Sequence, residues 1–270
     1  MNRIIMMVAL VILASCGAEP VTVPRAECLV APSDLGGEKV LEAFEGQAGA
    51  LWVRTSAGRL VKLDNRASFS APVTLEAAAL MGGSPVALGK GALYSLVPSP
   101  ERILEVPLTA AQMAGEGQRL YISGLDASGE ALMFAFERIN GHQPILSLPS
   151  APTALVASEG RVYFAMGAGI HTFKPGGEVR TLAALPGLDP IISIAADTRS
   201  GILYLSDGTC TYALVSQSSR CVLLFRDAGG ELLWSGGALH LSRHQDGCLY
   251  RLPDMGQWIN GDVTALMDLF

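Results

Sequence analysis

Residues 153–185 read TALVASEGRVYFAMGAGIHTFKPGGEVRTLAAL, and this stretch carries the clearest indication of the fold. Short apolar runs alternate with glycine turns, and the run RVYFA at 161–165 carries Tyr163 at its centre. Runs of about five residues that are rich in β-branched, leucine and aromatic side chains suit β-strands and are poor for α-helices. The stretch therefore predicts consecutive short strands joined by tight turns.

The same unit of glycine turn and apolar run recurs along the chain. The ring residues at its centre are Trp52, Tyr94, Tyr121, Tyr163, Tyr204 and His240, at intervals of 42, 27, 42, 41 and 36 residues. A period near forty residues indicates a repeat architecture. The runs are continuously apolar, which predicts burial on both faces, as in small sheets packed face to face around an axis.

The sequence thus predicts an all-β fold, a β-propeller with six blades of antiparallel strands. The interval between Tyr94 and Tyr121 is short, so one blade is expected to be reduced. Residues 66–83 leave open a helical turn in place of an outer strand.

Two segments resemble a known family of propellers. ISIAADTRSGILYLSD at 192–207 and the stretch at 153–185 are similar to NHL-repeat and TolB-like six-bladed propellers, in which a glycine turn leads to an L-Y-x-x-D strand. The resemblance covers most of residues 41–270 as a pattern and is sharp over 153–208. It implies a closed ring in which the two ends of the chain often share a blade.

The resemblance implies that segments near the two ends of the chain pair to close the ring. CLVAP at 28–32 and CLYRLP at 248–253 are both short apolar strands that begin with cysteine, and we expect them to share the last blade. Cys28 would then be bonded to Cys248. The alternative is that VTALMDLF at 263–270 closes the ring alone.

The first residues have the charge order of an export signal. Arg3 precedes an apolar run from Ile4 to Leu13, which is too short to span a bilayer. LASC at 13–16 resembles the lipobox of bacterial lipoproteins, which implies acylation of Cys16; an ordinary signal peptide with a chance cysteine is the alternative. The expected domains are a signal peptide at 1–15, a lipidated tether at 16–27 and a propeller at 28–270.

The protein is expected to be located in the cell envelope. In the lipoprotein family the residue after the acylated cysteine influences sorting, and proteins kept in the inner membrane carry aspartate there. This chain has Gly17 at that position, so the resemblance implies an outer-membrane anchor that faces the periplasm or the cell surface. The formal net charge is −6, which argues against a nucleic-acid partner. Membrane contact is therefore expected through lipid on Cys16.

The remaining cysteines are even in number, as expected for disulfides in an exported chain. Cys28, Cys210, Cys221 and Cys248 allow three pairings. Cys210 and Cys221 flank an expected hairpin, which favours a disulfide between them and leaves Cys28 for Cys248. Free buried thiols are the alternative, and the chain has no CxxC spacing typical of zinc sites.

The polar residues that invite a catalytic or metal role have simpler explanations. His240 occupies the repeated ring position and is expected in the core, while His244 and Asp246 lie too far along a strand and turn to share a metal with it. Asp197 and Asp207 are expected to cap turns. His171, in the run GIHTF at 169–173, is a candidate for a side chain that points into the channel.

The sequence lacks the common catalytic motifs, and we expect a binding function. The sequence contains no nucleophile elbow, phosphate-binding loop, dinucleotide fingerprint or HExxH pair. We expect a non-catalytic propeller that binds an envelope protein, peptide or glycan, with no cofactor. The alternatives are a hydrolase or lyase of the gluconolactonase or streptogramin-lyase type, with calcium as its weakly supported metal, and a purely structural role.

Overall fold

The computed structural model describes residues 25–71, 73–137, 141–256 and 259. Residues 1–24, which contain the expected signal peptide, Cys16 and most of the tether, lie outside this part of the chain, as does the segment 263–270. Within the described residues no helix is long and apolar enough to cross a membrane.

The described chain forms 24 β-strands and two short 3₁₀ helices, Pro32–Leu35 and Gln47–Gly49. The strands of the first half are β1 (Glu27–Val30), β2 (Val40–Glu45), β3 (Leu51–Thr55), β4 (Arg59–Lys62), β5 (Ser68–Ser70), β6 (Ala77–Met81), β7 (Ser84–Gly89), β8 (Ala92–Ser95), β9 (Glu101–Glu105), β10 (Thr109–Glu116), β11 (Arg119–Leu125), β12 (Ala131–Glu137) and β13 (Gly141–Leu148). Those of the second half are β14 (Ala154–Ser158), β15 (Arg161–Met166), β16 (Gly169–Phe173), β17 (Arg180–Ala184), β18 (Ser193–Asp197), β19 (Ile202–Ser206), β20 (Thr211–Val215), β21 (Arg220–Phe225), β22 (Gly230–Ser235), β23 (Ala238–Arg243) and β24 (Leu249–Arg251).

These strands form six four-stranded antiparallel sheets, which confirms the six-bladed β-propeller. Blades one to five are β2–β5, β6–β9, β10–β13, β14–β17 and β18–β21, and blade six has the order β22-β23-β24-β1. Strands are counted outward, so the first strands, β2, β6, β10, β14, β18 and β22, surround the axis. We call the end where first strands turn into second strands the lower end, and the opposite end the upper end.

The propeller closes through the N-terminal strand, as expected. β1 pairs antiparallel with β24 in blade six, with Glu27 opposite Arg251 and Cys28 opposite Tyr250. A strand contributed from the far end of the chain supplies the last blade's outer edge, so closure links the two ends of the domain.

The core is divided among the seams between neighbouring blades. A hydrophobic cluster occupies each of the six seams. Within blade four, for example, Phe164 and Ile170 are fully buried against different neighbours. Burial on both faces of each sheet explains why the apolar runs are continuous instead of alternating.

The blade expected to be reduced is complete, and that expectation was wrong. Blade two has four strands, and residues 66–83 contain β5 and β6 instead of a helical turn. Tyr94 lies on the third strand, β8, and packs toward blade one. The corresponding second-strand position is held by Val86, which packs toward blade three, so the short interval came from matching unlike strands.

The stretch EGRVYFAMG at 159–167 contains the second strand of blade four. Its strand β15 pairs with β14 on one side and β16 on the other, so it is a second strand and not the innermost one. Tyr163 packs in the seam with blade five. Tyr121 and Tyr204 likewise pack toward the next blade, which confirms the repeated packing position.

Candidate functional site: the central channel

The central channel is lined by residues of all six first strands. It encloses about 320 Å³, and its wall includes Leu80, Leu155, Val156 and Leu233. The first strand is the inner edge of each blade, so strand edges and not sheet faces point toward the axis. The space between these six edges forms the channel. A cavity of this size accepts a peptide side chain or a small ligand group.

Two carboxylates lie near the upper end of the channel on neighbouring first strands, while Glu45 lines its lower end. Glu42 is on β2 and Glu231 is on β22, near the upper end. Each stands among apolar residues of its strand, VLEAFE and GELLWS. Charged side chains are rarely buried unless they are paired, so their partners decide what this site can do.

Glu42 has a direct cationic partner. Arg54 lies opposite it on β3, and the Arg54 Nε donates to Glu42 Oε2 at 2.9 Å. The Arg54 side chain is 16% exposed and that of Glu42 is 26% exposed. Burial raises the pKa of Glu42, while the charge and hydrogen bond of Arg54 act to lower it.

Glu231 has no such direct partner among the described residues. Burial, together with the nearby charge of Glu42, raises the pKa of Glu231 to about 7, whereas a hydrogen bond with Ser193 and the charge of Arg54 act to lower it. Ser193 Oγ also accepts the Leu232 N–H at 2.8 Å, which fixes the hydroxyl between blades five and six.

The two carboxylates therefore differ in their chemistry. Glu42 is half of an ion pair, whereas Glu231 is near the balance point between acid and base at neutral pH. Glu231 can accept a hydrogen bond or a cation when ionised, and donate a proton when neutral.

Most sequence-based candidates have structural roles. His240 is 5% exposed inside blade six, which confirms the core assignment, and burial lowers its pKa. His244 lies in an exposed turn beyond β23. The described residues contain no group of three or more His, Cys, Asp or Glu side chains that could hold a metal ion.

The aspartates of the repeat cap turns, as expected. Asp207 accepts from the N–H groups of Thr209 and Cys210 and from the Tyr212 hydroxyl, at 2.7–2.9 Å. Asp197 accepts the Ser200 N–H at 3.3 Å.

His171 does not face the channel, so that suggestion was wrong. It lies on the third strand of blade four, stacked on Phe164 with ring centroids 5.3 Å apart. Its Nδ1 lies 3.2 Å from Thr181 Oγ1.

The four cysteines of the propeller have free thiols in this structure. Cys28 lies on β1 opposite Tyr250, and Cys248 immediately precedes β24, the partner of β1 in blade six. The same arrangement includes Tyr250, whose hydroxyl donates to Asp246 at 2.9 Å. The Cys28–Cys248 disulfide stays a prediction that this arrangement allows.

The structure does not bring Cys210 and Cys221 together. Leu214 lies opposite Cys221, whereas Cys210 precedes the far end of β20. Four residues along a strand correspond to about 13 Å, and a disulfide needs Cα atoms within about 7 Å. The hairpin was expected correctly, but its turn does not place these two thiols opposite each other.

Sequence reasoning missed the channel carboxylates. A signal was present, because Glu42 and Glu231 are acids within strands that are otherwise expected to be buried. Their convergence was not readable, since it depends on closing the ring so that blade one lies beside blade six.

Comparisons with known proteins show the fold alone. No protein-family model matches the sequence, and neither does any curated protein. A chain of the nidogen/laminin complex is 14% identical with a TM-score of 0.57, covering 77% of this chain and 86% of that one. The Pan2 WD40 domain of Neurospora crassa is 11% identical with a TM-score of 0.53, covering 83% of each chain.

A third similar structure is an extracellular domain. The extracellular domain of the hybrid two-component system BT4673 from B. thetaiotaomicron is 11% identical with a TM-score of 0.57, covering 87% of this chain. This chain spans only 34% of that domain's length. At these identities the likeness establishes a propeller and not a shared activity.

Proposed function

We propose that this protein is a lipid-anchored envelope protein whose propeller binds a protein, peptide or glycan partner at the upper mouth of its channel. The single observation that carries the proposal is the open channel, with an incompletely paired carboxylate, Glu231, near its upper end. Anchoring through Cys16, at the outer membrane, and membership among NHL-repeat or TolB-like propellers are parts of the same proposal.

The size of the channel limits the form of the ligand. About 320 Å³ accepts a side chain, a peptide end or a sugar unit, and not a folded domain. A protein partner would therefore insert a loop or terminus. The complex of nidogen with laminin supports the general point that a propeller of this shape can be part of a protein–protein assembly.

Site-specific photocrosslinking in the native envelope tests this proposal. A diazirine-bearing aliphatic amino acid replaces Leu233 in the channel wall or, as the control, Ser70 on the outer strand β5. We expect a discrete adduct from position 233 that is absent from position 70 and is lost with Glu231→Arg, which fills the mouth. Equal adducts at both positions, or none at 233, contradict channel binding.

A hydrolase or lyase is the second candidate, because Glu42 and Glu231 converge in the channel with different partners. A carboxyl group whose pKa is about 7 is suited to general acid–base work. Turnover of a lactone or ester panel that falls by about 100-fold or more in Glu231→Gln would favour this candidate. Turnover unchanged in Glu231→Gln would exclude Glu231 as the acid or base.

A further inference from the structure

Blade four carries two like charges where blade three carries an ion pair. Arg119 begins β11 opposite Glu137 on β12, and the two side chains form a salt bridge. In blade four, Val162 lies opposite Phe173. Extending this register by one residue toward the lower end places Arg161 opposite Lys174, at the position of the ion pair in blade three. Like charges directly opposite each other on a sheet are destabilising.

A third cation shares this face of the blade. Thr172 lies opposite both Tyr163 and Arg180 on its two neighbouring strands. Side chains two residues apart on a strand point to the same face, so Arg161, Lys174 and Arg180 all lie on one side of blade four.

The three cations line one cleft at the lower end. The cleft has a volume of about 300 Å³ and is lined by Arg161, Lys174 and Arg180 together with Thr172, Phe173, Gly177 and Glu178. Lys174 and Arg180 are exposed and Arg161 is half-buried. Among the described residues none of the three forms a salt bridge, whereas Arg54, Arg59, Arg102, Arg119 and Arg243 all do.

The charge is locally unbalanced in an acidic protein. The chain has a formal net charge of −6, yet this cleft holds three cations and one carboxylate, Glu178. Guanidinium groups match the oxygens of a phosphate in geometry, and an ammonium group adds a point charge. A tetrahedral anion bridging the three side chains would relieve the repulsion between them.

We propose that this cleft of blade four binds a phosphate group, either free or on a lipid headgroup. The site is separate from the channel and does not depend on the function proposed there. The described chain begins β1 at the same lower end, since Glu27 lies opposite Arg251 at the end of β24. An anchor on Cys16 would thus favour the lipid source, and the experiment distinguishes the two sources.

Lys174→Glu is the decisive variant, because it restores in blade four the Arg–Glu pair of blade three. The variant is expected to melt at or above the temperature of the parent protein while binding phosphate at least about tenfold more weakly. Arg226→Glu makes the same change in charge at an exposed residue outside the cleft and is the matched control. It is expected to bind like the parent.

Binding is measured on the mature chain, residues 16–270, with Cys16→Ser so that no acyl chain contributes. Calorimetry with inorganic phosphate detects a free ligand, and co-sedimentation compares vesicles of phosphatidylcholine with vesicles that also contain phosphatidylglycerol. Binding to inorganic phosphate alone supports a free phosphate. Extra sedimentation with phosphatidylglycerol that Lys174→Glu removes supports a headgroup.

Three results would overturn the proposal. They are absence of binding in both assays, binding by Lys174→Glu equal to that of the parent, and a melting temperature of Lys174→Glu well below the parent's. The last would show that the lysine is needed for folding and that the like-charge pair is not a cost to the free protein.

Discussion

At the scale of single residues, the partners of the two channel carboxylates set their chemistry. Glu42 and Glu231 lie in the same cavity, but Arg54 is bonded to Glu42 and only acts on Glu231 through its charge. The protein therefore keeps one carboxylate committed to an ion pair and leaves the other open to a proton or a ligand.

Glu231 should make the folded protein less stable as pH rises from weakly acid to neutral. Burial raises its pKa from 4.5 to about 7, so between these values the folded state binds a proton that the unfolded state has released. Stability is then highest near the lower value and falls as pH approaches the upper one. Urea unfolding at pH 5 and pH 7.5 measures this loss, and Glu231→Gln should reduce it; the pKa of Glu42 is also raised and contributes in the same direction.

The control for this experiment is Glu45→Gln on the neighbouring first strand. Glu45 is exposed at the lower end, so its replacement should leave the dependence on pH as it is in the parent. A dependence that persists in Glu231→Gln and disappears in Glu45→Gln would contradict the assignment to Glu231.

Single residues were predictable where the local sequence determines their role. Asp207 could be recognised as a turn cap because its partners are two to five residues away. His240 could be recognised as a core residue from its place in the repeat. Glu231 could not, because Glu42 and Ser193 reach it from other blades.

At the scale of the element, an aspartate anchors the turns at the upper end of several blades. Asp126, Asp207 and Asp246 each follow a second strand and accept backbone N–H groups of the next turn. In blades five and six the same carboxylate also accepts a tyrosine hydroxyl, from Tyr212 and Tyr250.

Asp207→Ala should destabilise blade five by about 1–3 kcal/mol. The substitution leaves two backbone donors and the Tyr212 hydroxyl without their acceptor. Chemical denaturation measures the loss, and Asp189→Ala, at an exposed loop position, is the comparison. Equal losses in both variants would remove the special role of the turn carboxylate.

Gly115→Ala should also destabilise the propeller, by about 1–3 kcal/mol, through crowding of neighbouring first strands. A Cβ at this position would lie 1.9 Å from the Leu80 carbonyl oxygen of blade two. Gly256→Ala is a suitable control, because its Cβ would approach nothing closer than 3.4 Å. A melting temperature unchanged in Gly115→Ala would show that blades two and three are not so closely packed.

The sequence predicted that the elements are strands, but it did not predict the position of each strand within its blade. Short apolar runs between glycines indicated strands, but burial on both faces removed the alternation that would distinguish one strand of a blade from another. Tyr94 was therefore grouped with second strands although it lies on a third. The repeat was visible in the sequence. Which strand of a blade each run forms became clear only from the strand pairing in the structure.

At the scale of the whole molecule, lipid anchoring through Cys16 stays a prediction with a direct test. Globomycin, which blocks lipoprotein signal processing, should cause an unprocessed precursor to accumulate, and Cys16→Ser should leave the membrane fraction after a high-salt wash. The physical reason is that acyl chains supply the stable membrane affinity. Membrane retention of Cys16→Ser after the wash would contradict the lipoprotein assignment.

Closure of the ring was foreseeable from the sequence, because the two segments that meet, 28–32 and 248–253, have similar patterns. The Cys210–Cys221 proximity was not correctly foreseen, since the register of a hairpin depends on its turn and on a bulge between Thr211 and Tyr212. A shift of a few residues along a strand changes which thiols can meet.

The closed ring depends on the N-terminal strand β1 completing blade six. Mild oxidation of the purified protein followed by non-reducing peptide mapping tests this most directly. The structure predicts a Cys28–Cys248 linkage, because Cys28 lies on β1, which pairs with β24, and Cys248 immediately precedes β24. Cys28 linked to Cys210 or Cys221, with Cys248 left free, would contradict the closed six-bladed ring.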